Sequence, residues 1–129
     1  MELVQAGLAQ GPASGYHFVF AERSGRGVVG YACYGPIPLT RSSYDLYWIA
    51  VHPEAQGGGV GRLLLAEVEA AVVGLGGTAL YVETSSRPQY APTRAFYRRA
   101  GYREAALLED FYAPGDGKLV FERRLVPAS

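Results

Sequence analysis

Seven residues, Gln56 to Arg62 (QGGGVGR), constrain this chain more than any other stretch. They lie between an apolar run, Tyr44 to Val51, and a segment in which Leu64, Val68, Ala71 and Val72 recur at helical spacing. Glycines, lacking a Cβ, let successive backbone N–H groups converge on one point, and the first turn of the following helix adds unpaired N–H groups and a partial positive charge. A strand, glycine loop and helix in this order can cradle an anion, most often phosphate or diphosphate. The plainer alternative is a turn that only closes a strand-to-helix connection. A Walker loop needs Gly-Lys-Ser/Thr, which does not follow. The pattern Gly-x-Gly-x-x-Gly fails from Gly57, where Arg62 takes the last place, and from Gly59, where Leu64 does, so nucleoside triphosphatase and Rossmann dehydrogenase are poor fits.

Around this loop the residue pattern spells out alternating elements. Tyr16 to Glu22 and Val28 to Tyr34 are rich in aromatic and β-branched residues, with Ser24 to Gly27 between them, which predicts a hairpin. Tyr44 to Val51 is apolar on both faces, as a central strand must be, and ends before Pro53. An amphipathic helix is expected over about Gly61 to Val73, with Glu67 and Glu69 outward. Leu80 to Thr84 is the next buried strand, and strand, helix, strand implies a parallel pair joined by a right-handed crossover. Pro92 opens a short helix that carries Phe96 and Ala100 on one face and ends at Gly101. Arg103 to Phe111 and Lys118 to Leu125 form a last hairpin about the turn Ala113 to Gly117. The expectation is one domain over 1–129, a mixed α/β (α+β) fold with a helix on either side of the sheet. Residues 1–15 are either a helical remnant, Val4 to Ala9, or a mobile N-terminal segment.

Charge and length narrow the function classes. A chain of 129 residues closes around one core. Twelve basic and twelve acidic residues cancel, so no global field gathers nucleic acid or anionic lipid. No apolar stretch approaches the ~20 residues of a membrane span, and no signal pattern opens the chain, so a cytoplasmic location is expected. The single Cys33 supports neither an internal disulfide nor a cysteine zinc site, and reads as a small buried hydrophobe. His17 and His52 show no metal-ligand spacing and read as surface residues; no metal is expected.

Two motifs together resemble the GCN5-related N-acetyltransferase (GNAT) family: Gln56-x-x-Gly59-x-Gly61 between strand and helix, and TRAFYRRAGY, Thr93 to Tyr102, downstream. The similarity runs from about Tyr16 to Leu125. It implies a mostly antiparallel sheet with a splayed central parallel strand pair and flanking helices, here N-terminally short. It also implies that acetyl-CoA is the cosubstrate, its diphosphate on the amides of Gly57, Gly58, Gly59, Val60, Gly61 and Arg62, and its pantetheine arm paired with the backbone of Ile49, Ala50 and Val51 as an added strand. Thr93, with Gln89 and Tyr90, stands where the family commonly has an asparagine that contacts the cofactor; this chain has none.

The implied reaction is direct transfer of acetyl to a primary amine of a protein, peptide or small molecule in a ternary complex. The resemblance makes Glu83 the base, with Asp45 or a water relay as alternatives, and Tyr97 the acid that protonates the leaving thiolate. Each residue has a plainer use: Tyr97 as an aromatic packed beneath the sheet, Glu83 as a partner of Arg87 or Arg94, Asp45 and Arg62 as solvated surface charges. Asp110, Phe111 and Tyr112 line the amine site or belong to a strand. With so few residues before Tyr16, the sheet is expected to have an open edge, which invites a homodimer, and a catalytically silent CoA-binding module is the alternative to an active enzyme.

Overall fold

The computed structural model describes residues 2–7 and 15–126. Its elements are β1 (Glu2–Gly7), β2 (His17–Arg23), β3 (Gly27–Pro36), β4 (Ser43–Val51), α1 (Val60–Gly74), β5 (Ala79–Ser85), α2 (Ala91–Arg99), β6 (Arg103–Ala113) and β7 (Asp116–Arg124), with short 3-10 turns at Pro53–Ala55 and Pro88–Tyr90. The strands form one seven-stranded sheet in the order β1-β2-β3-β4-β5-β7-β6. All neighbours are antiparallel except β4 and β5, the parallel pair that α1 bridges.

The local chemistry explains the boundaries. Pro53 ends β4 and starts the 3-10 turn, whose first amide, that of Glu54, is capped by His52 Nδ1 at 3.2 Å. Gly101, at φ 94°, ends α2 in the left-handed region where a Cβ is disfavoured. Between β6 and β7, Ala113 pairs with Asp116, and Pro114 and Gly115 (φ 79°) make the tight turn.

The core is where α1 and α2 meet the sheet: Val60, Leu64, Leu65, Val68 and Val72 of α1 pack with Val19, Ala32, Leu46, Leu80 and Phe121 of the strands. Both helices cover the same face, which corrects the expectation of one on each side. A Cβ on Gly30 of β3 would touch Val60 and Leu64, while Tyr97 of α2 packs on Phe121 at 6.0 Å. Phe121 registers with Val82, and Val82 with Leu46, so these residues share the face that α1 covers. The physical reason lies in the direction of travel: β6, one strand beyond β7, runs parallel to β5, so β4–α1–β5 and β5–α2–β6 are both crossovers that advance the same way across the sheet, and one right-handed sense puts both helices on one face.

The N-terminal expectation is corrected too. Val4 to Gly7 belong to a strand, β1, rather than to a helical remnant; residues 8 and 9 of that reading lie outside the described residues. Because β1 pairs with β2, the edge expected to be open at β2 is occupied, and the edge strands are β1 and β6. Cys33 is buried and unpaired. His52 is exposed, whereas His17 is half-buried and stacked on Tyr34 at 5.1 Å. Among the described residues no helix is long and apolar enough to cross a membrane, and no group of three or more candidate metal ligands gathers.

Candidate active site

The site begins where the parallel pair comes apart. β4 and β5 register at Ser43 with Ala79, Tyr44 with Leu80, Asp45 with Tyr81 and Leu46 with Val82, and pair no further. Beyond that rung β4 stays with β3 as far as Val51, and β5 stays with β7 as far as Ser85. The cause sits in β4 itself. Tyr34 faces Leu46 and Cys33 faces Trp48, which leaves Tyr47 as an extra residue. Such a bulge bends and twists its strand, and here it falls one residue after the last β4–β5 rung.

On the far side of the bulge, peptide groups alternate between β3 and the gap. His52 donates to Val29 of β3 at 2.7 Å, so the polar backbone of Ala50 also faces β3, and that of Ile49 and Val51 faces the gap. This divides the expected trio: Ile49 and Val51 line the clefts beside β4, and Ala50 lies outside that lining. The carbonyl of Val51 already accepts from Gln56 Nε2 at 3.2 Å, a bond that closes the loop back onto the strand.

The glycine loop follows. Gly57 and Gly59 stand at φ 83° and 84°, and Gly59 caps α1 from the left-handed region. Gln56 and Leu63 donate to Pro53 and Gly59, but among the described residues the amides of Gly57 to Arg62 have no protein acceptor. They are left to a ligand or to water. A cleft of about 530 Å³ lies against them, lined by Gln56, Gly57, Gly59, Val60, Gly61, Arg62 and Thr93 together with Phe96 and Arg99 of α2. Gly58 is outside this lining. A Cβ at Gly61 would stand 3.3 Å from the Phe96 ring, so the helices approach closely here.

A second cavity of about 630 Å³ lies on the other side of the gap, and Ile49, Thr93 and Tyr97 line both. The residues shared by the two cavities thus mark the place where a ligand from each side would meet. Tyr97 is 5% exposed, packed edge-on against Phe96 and Tyr102. Its hydroxyl has no hydrogen-bond partner among the described residues, and burial pushes its pKa up to about 12. Packing and a place at the junction are therefore both properties of Tyr97.

Glu83 lines the larger cavity with its side chain about half exposed, and its partner is Lys118 rather than Arg87 or Arg94. Arg87 instead pairs with Asp116 at 3.0 Å, and Arg94 donates to the carbonyls of Ser85 and Arg87. Asp45 is half-buried at the start of its strand. Burial, and secondly the negative charge of Glu83, hold its carboxyl above the usual value, with Lys118 opposing; it stands outside the cavity lining. Of the C-terminal trio only Tyr112 reaches the cavity. Phe111 lies under Lys118 at 4.4 Å, and Asp110 caps the amide of Gly115 at 2.8 Å.

Several lining residues were not singled out as site residues from the sequence: Tyr47 and Trp48 on the bulge, Thr84, Arg87 and Asp116, and in the cleft beside the glycine loop Phe96 and Arg99. Only Arg99 carried a usable signal, as a cation two residues after the Phe-Tyr pair. Thr84 is the most unusual, because its hydroxyl is buried with no hydrogen-bond partner among the described residues.

Residues 14–104 match the model of the acetyltransferase (GNAT) domain. The chain belongs to the GNAT acetyltransferase family. A GNAT-family protein from Desulfovibrio desulfuricans is 52% identical, with 88% of this chain and 72% of that one covered and a TM-score of 0.85. A ribosomal-protein-alanine N-acetyltransferase from Brucella melitensis is 30% identical over 88% and 71%, with a TM-score of 0.73. An aminoglycoside 6'-N-acetyltransferase complexed with coenzyme A shares the fold at a TM-score of 0.74 and 17% identity over 89% and 76%. A search of curated proteins found no match. In this GNAT chain the parted strands, the mostly antiparallel sheet and the flanking helices are those of the family fold.

Proposed function

We propose that this GNAT acetyltransferase moves acetyl from acetyl-CoA to a primary amine by direct attack in a ternary complex. The observation that carries the reading is the pair of cavities meeting at Ile49, Thr93 and Tyr97, one floored by unpartnered loop amides and the other lined by Glu83. A diphosphate fits the first: its charge matches the donors of Gly57 to Arg62 and the N-terminus of α1. Ile49 and Val51 offer main-chain groups to an extended arm, and Gln56 and Thr93 stand beside it.

Acetyl-CoA supplies an acyl group already activated as a thioester, so no enzyme nucleophile is required. The chain's work is to position and to move protons. A main-chain N–H of the Ile49 to Val51 segment is the donor for the developing oxyanion; by the alternation above, that of Ile49 or Val51 faces the gap. An acceptor amine is mostly ammonium at pH 7 and must lose a proton; Glu83, which lines the cavity, takes it. Asp45 acts on that step through its charge.

Tyr97 donates its hydroxyl hydrogen to the departing sulfur. With its pKa near 12 against ~8.5 for a thiol, complete transfer is uphill by roughly 5 kcal/mol. The hydroxyl therefore acts first as a hydrogen-bond donor that stays protonated over the whole working range.

The acceptor cavity bears on the substrate class. Both of its carboxylates carry a cation, Glu83 with Lys118 and Asp116 with Arg87, so no surplus negative charge gathers a polycation. Tyr47, Trp48, Tyr90 and Tyr112 supply aromatic surface. A singly charged amine on an apolar or peptide body suits this lining. The test is thermal unfolding with acetyl-CoA at 100 times its dissociation constant, where about 2.7 kcal/mol of stabilisation is expected, followed by thiol release over a panel of amines. Absence of any shift overturns the cofactor reading; a shift without thiol release from any amine overturns the transfer.

A further inference from the structure

The hairpin turn between β2 and β3 leans on the glycine loop. Arg26 Nη1 pairs with Glu54 Oε2 at 3.0 Å, which ties the turn to the 3-10 segment just before the loop. The turn itself is closed by the Arg26 amide on the Arg23 carbonyl at 2.9 Å. Arg23 then lies against the loop: its Nη2 is 3.6 Å from where a Cβ on Gly58 would stand.

Two facts about Arg23 are unusual for a half-buried guanidinium. Its side chain has no hydrogen bond or ion pair among the described residues, and the carboxylate of Glu54 is engaged by Arg26. The main-chain groups it approaches belong to the loop whose own amides lack acceptors. A cation without an anion, held against donors without acceptors, is a site short of negative charge. Gly58, which is outside the cleft lining and has no positive φ, is the loop residue that the guanidinium approaches, at ordinary contact distance for a Cβ built there.

We infer that Arg23, from a hairpin remote in sequence from the loop, supplies a side-chain cation to the diphosphate bound on the amides of Gly57 to Arg62. The inference rests on the cofactor reading above. Guanidinium groups favour phosphate oxygens through paired N–H donors, and the Arg26–Glu54 pair keeps the hairpin where Arg23 can reach. Arg23 is thus a specificity residue for the phosphate end of the cofactor, distinct from Arg62 and Arg99 on the helices.

The experiment measures CoA binding by calorimetry for the wild type, Arg23→Gln and Arg23→Lys, at about 50 and about 200 mM salt. Arg23→Gln is expected to weaken CoA about tenfold at the lower salt, which is about 1.4 kcal/mol. Arg23→Lys should recover most of this, and the gap between wild type and Arg23→Gln should narrow at the higher salt as charge is screened. The unfolding midpoint without ligand should be the same for all three. Wild-type binding that Arg23→Gln leaves within twofold overturns the inference alone. Equal weakening by Gln and Lys, indifferent to salt, assigns Arg23 to packing and also overturns it. A wild type that does not bind CoA overturns the cofactor reading and this inference with it.

Discussion

Leu46 and Val82 form the last rung of the parallel pair, and the unpaired Tyr47 of the bulge follows Leu46 directly. The groups proposed to meet the reactants lie beyond that rung: Ile49 and Val51 on one strand, Glu83 on the other, and Tyr97 at the junction of the two cavities.

Tyr97→Phe removes the hydroxyl and keeps the ring that packs on Phe121. We expect kcat to fall by about 10²-fold to 10³-fold, with CoA affinity and the unfolding midpoint nearly unchanged. With its pKa raised to about 12, Tyr97 stays loaded as pH rises, so the wild-type profile of kcat/KM should climb to a plateau as amine and base deprotonate. A falling limb with its midpoint below pH ~10 would contradict the assignment.

Gly59→Ala should destabilise the fold by about 1–2 kcal/mol and weaken CoA binding, because its φ of 84° is costly for any residue with a Cβ. The added Cβ meets nothing within 4 Å, so the cost is backbone strain alone. Gly74→Ala, also in open space but at the helical end of α1, is the control. It should be neutral or stabilising by about 0.5 kcal/mol. Chemical denaturation of the two variants checks the contrast.

Thr84→Val replaces a buried hydroxyl that has no partner among the described residues with a methyl group of the same shape. A buried unpaired polar group costs roughly 1–3 kcal/mol, so the variant should be more stable by about 1 kcal/mol or more, read as an unfolding midpoint higher by a few degrees. A lower midpoint would mean that the hydroxyl is satisfied in solution.

Asp45 sets a pH dependence whose sign follows from its raised pKa. A carboxyl held above its ordinary 3.8 in the folded chain favours folding while protonated and loses that contribution as pH climbs through the folded value. Above the folded value the ionised group is a cost. Asp45→Asn should therefore raise the unfolding midpoint at pH 7.5, and the advantage should shrink as pH is lowered below the folded value. Parallel unfolding curves at a series of pH values measure it.

The sequence shows why much of this was legible. Apolar runs bounded by Gly and Pro marked β2 to β7 and both helices to within about two residues, because burial and turn chemistry are local properties. The loop was legible because Gly57 and Gly59 carry the information in their lack of a side chain. Three features were not. The bulge at Tyr47 arises from the register between β3 and β4, which no local pattern encodes. The strand at Glu2–Gly7 depends on a partner, β2, and not on its own weak pattern. The cavity opposite the loop gathers Tyr47, Thr84, Arg87, Tyr112 and Asp116 from four parts of the chain, and Glu83 meets Lys118 across the β5–β7 ladder rather than a neighbour on its own segment.

The most direct test of the account is a backbone amide NMR titration with CoA. The amides of Gly57 to Arg62, together with those of Ile49, Val51 and Thr93, are predicted to shift strongly and to saturate at one stoichiometric equivalent. Saturating CoA that leaves the amides from 57 to 62 unmoved, or shifts residues elsewhere on the sheet instead, would contradict it.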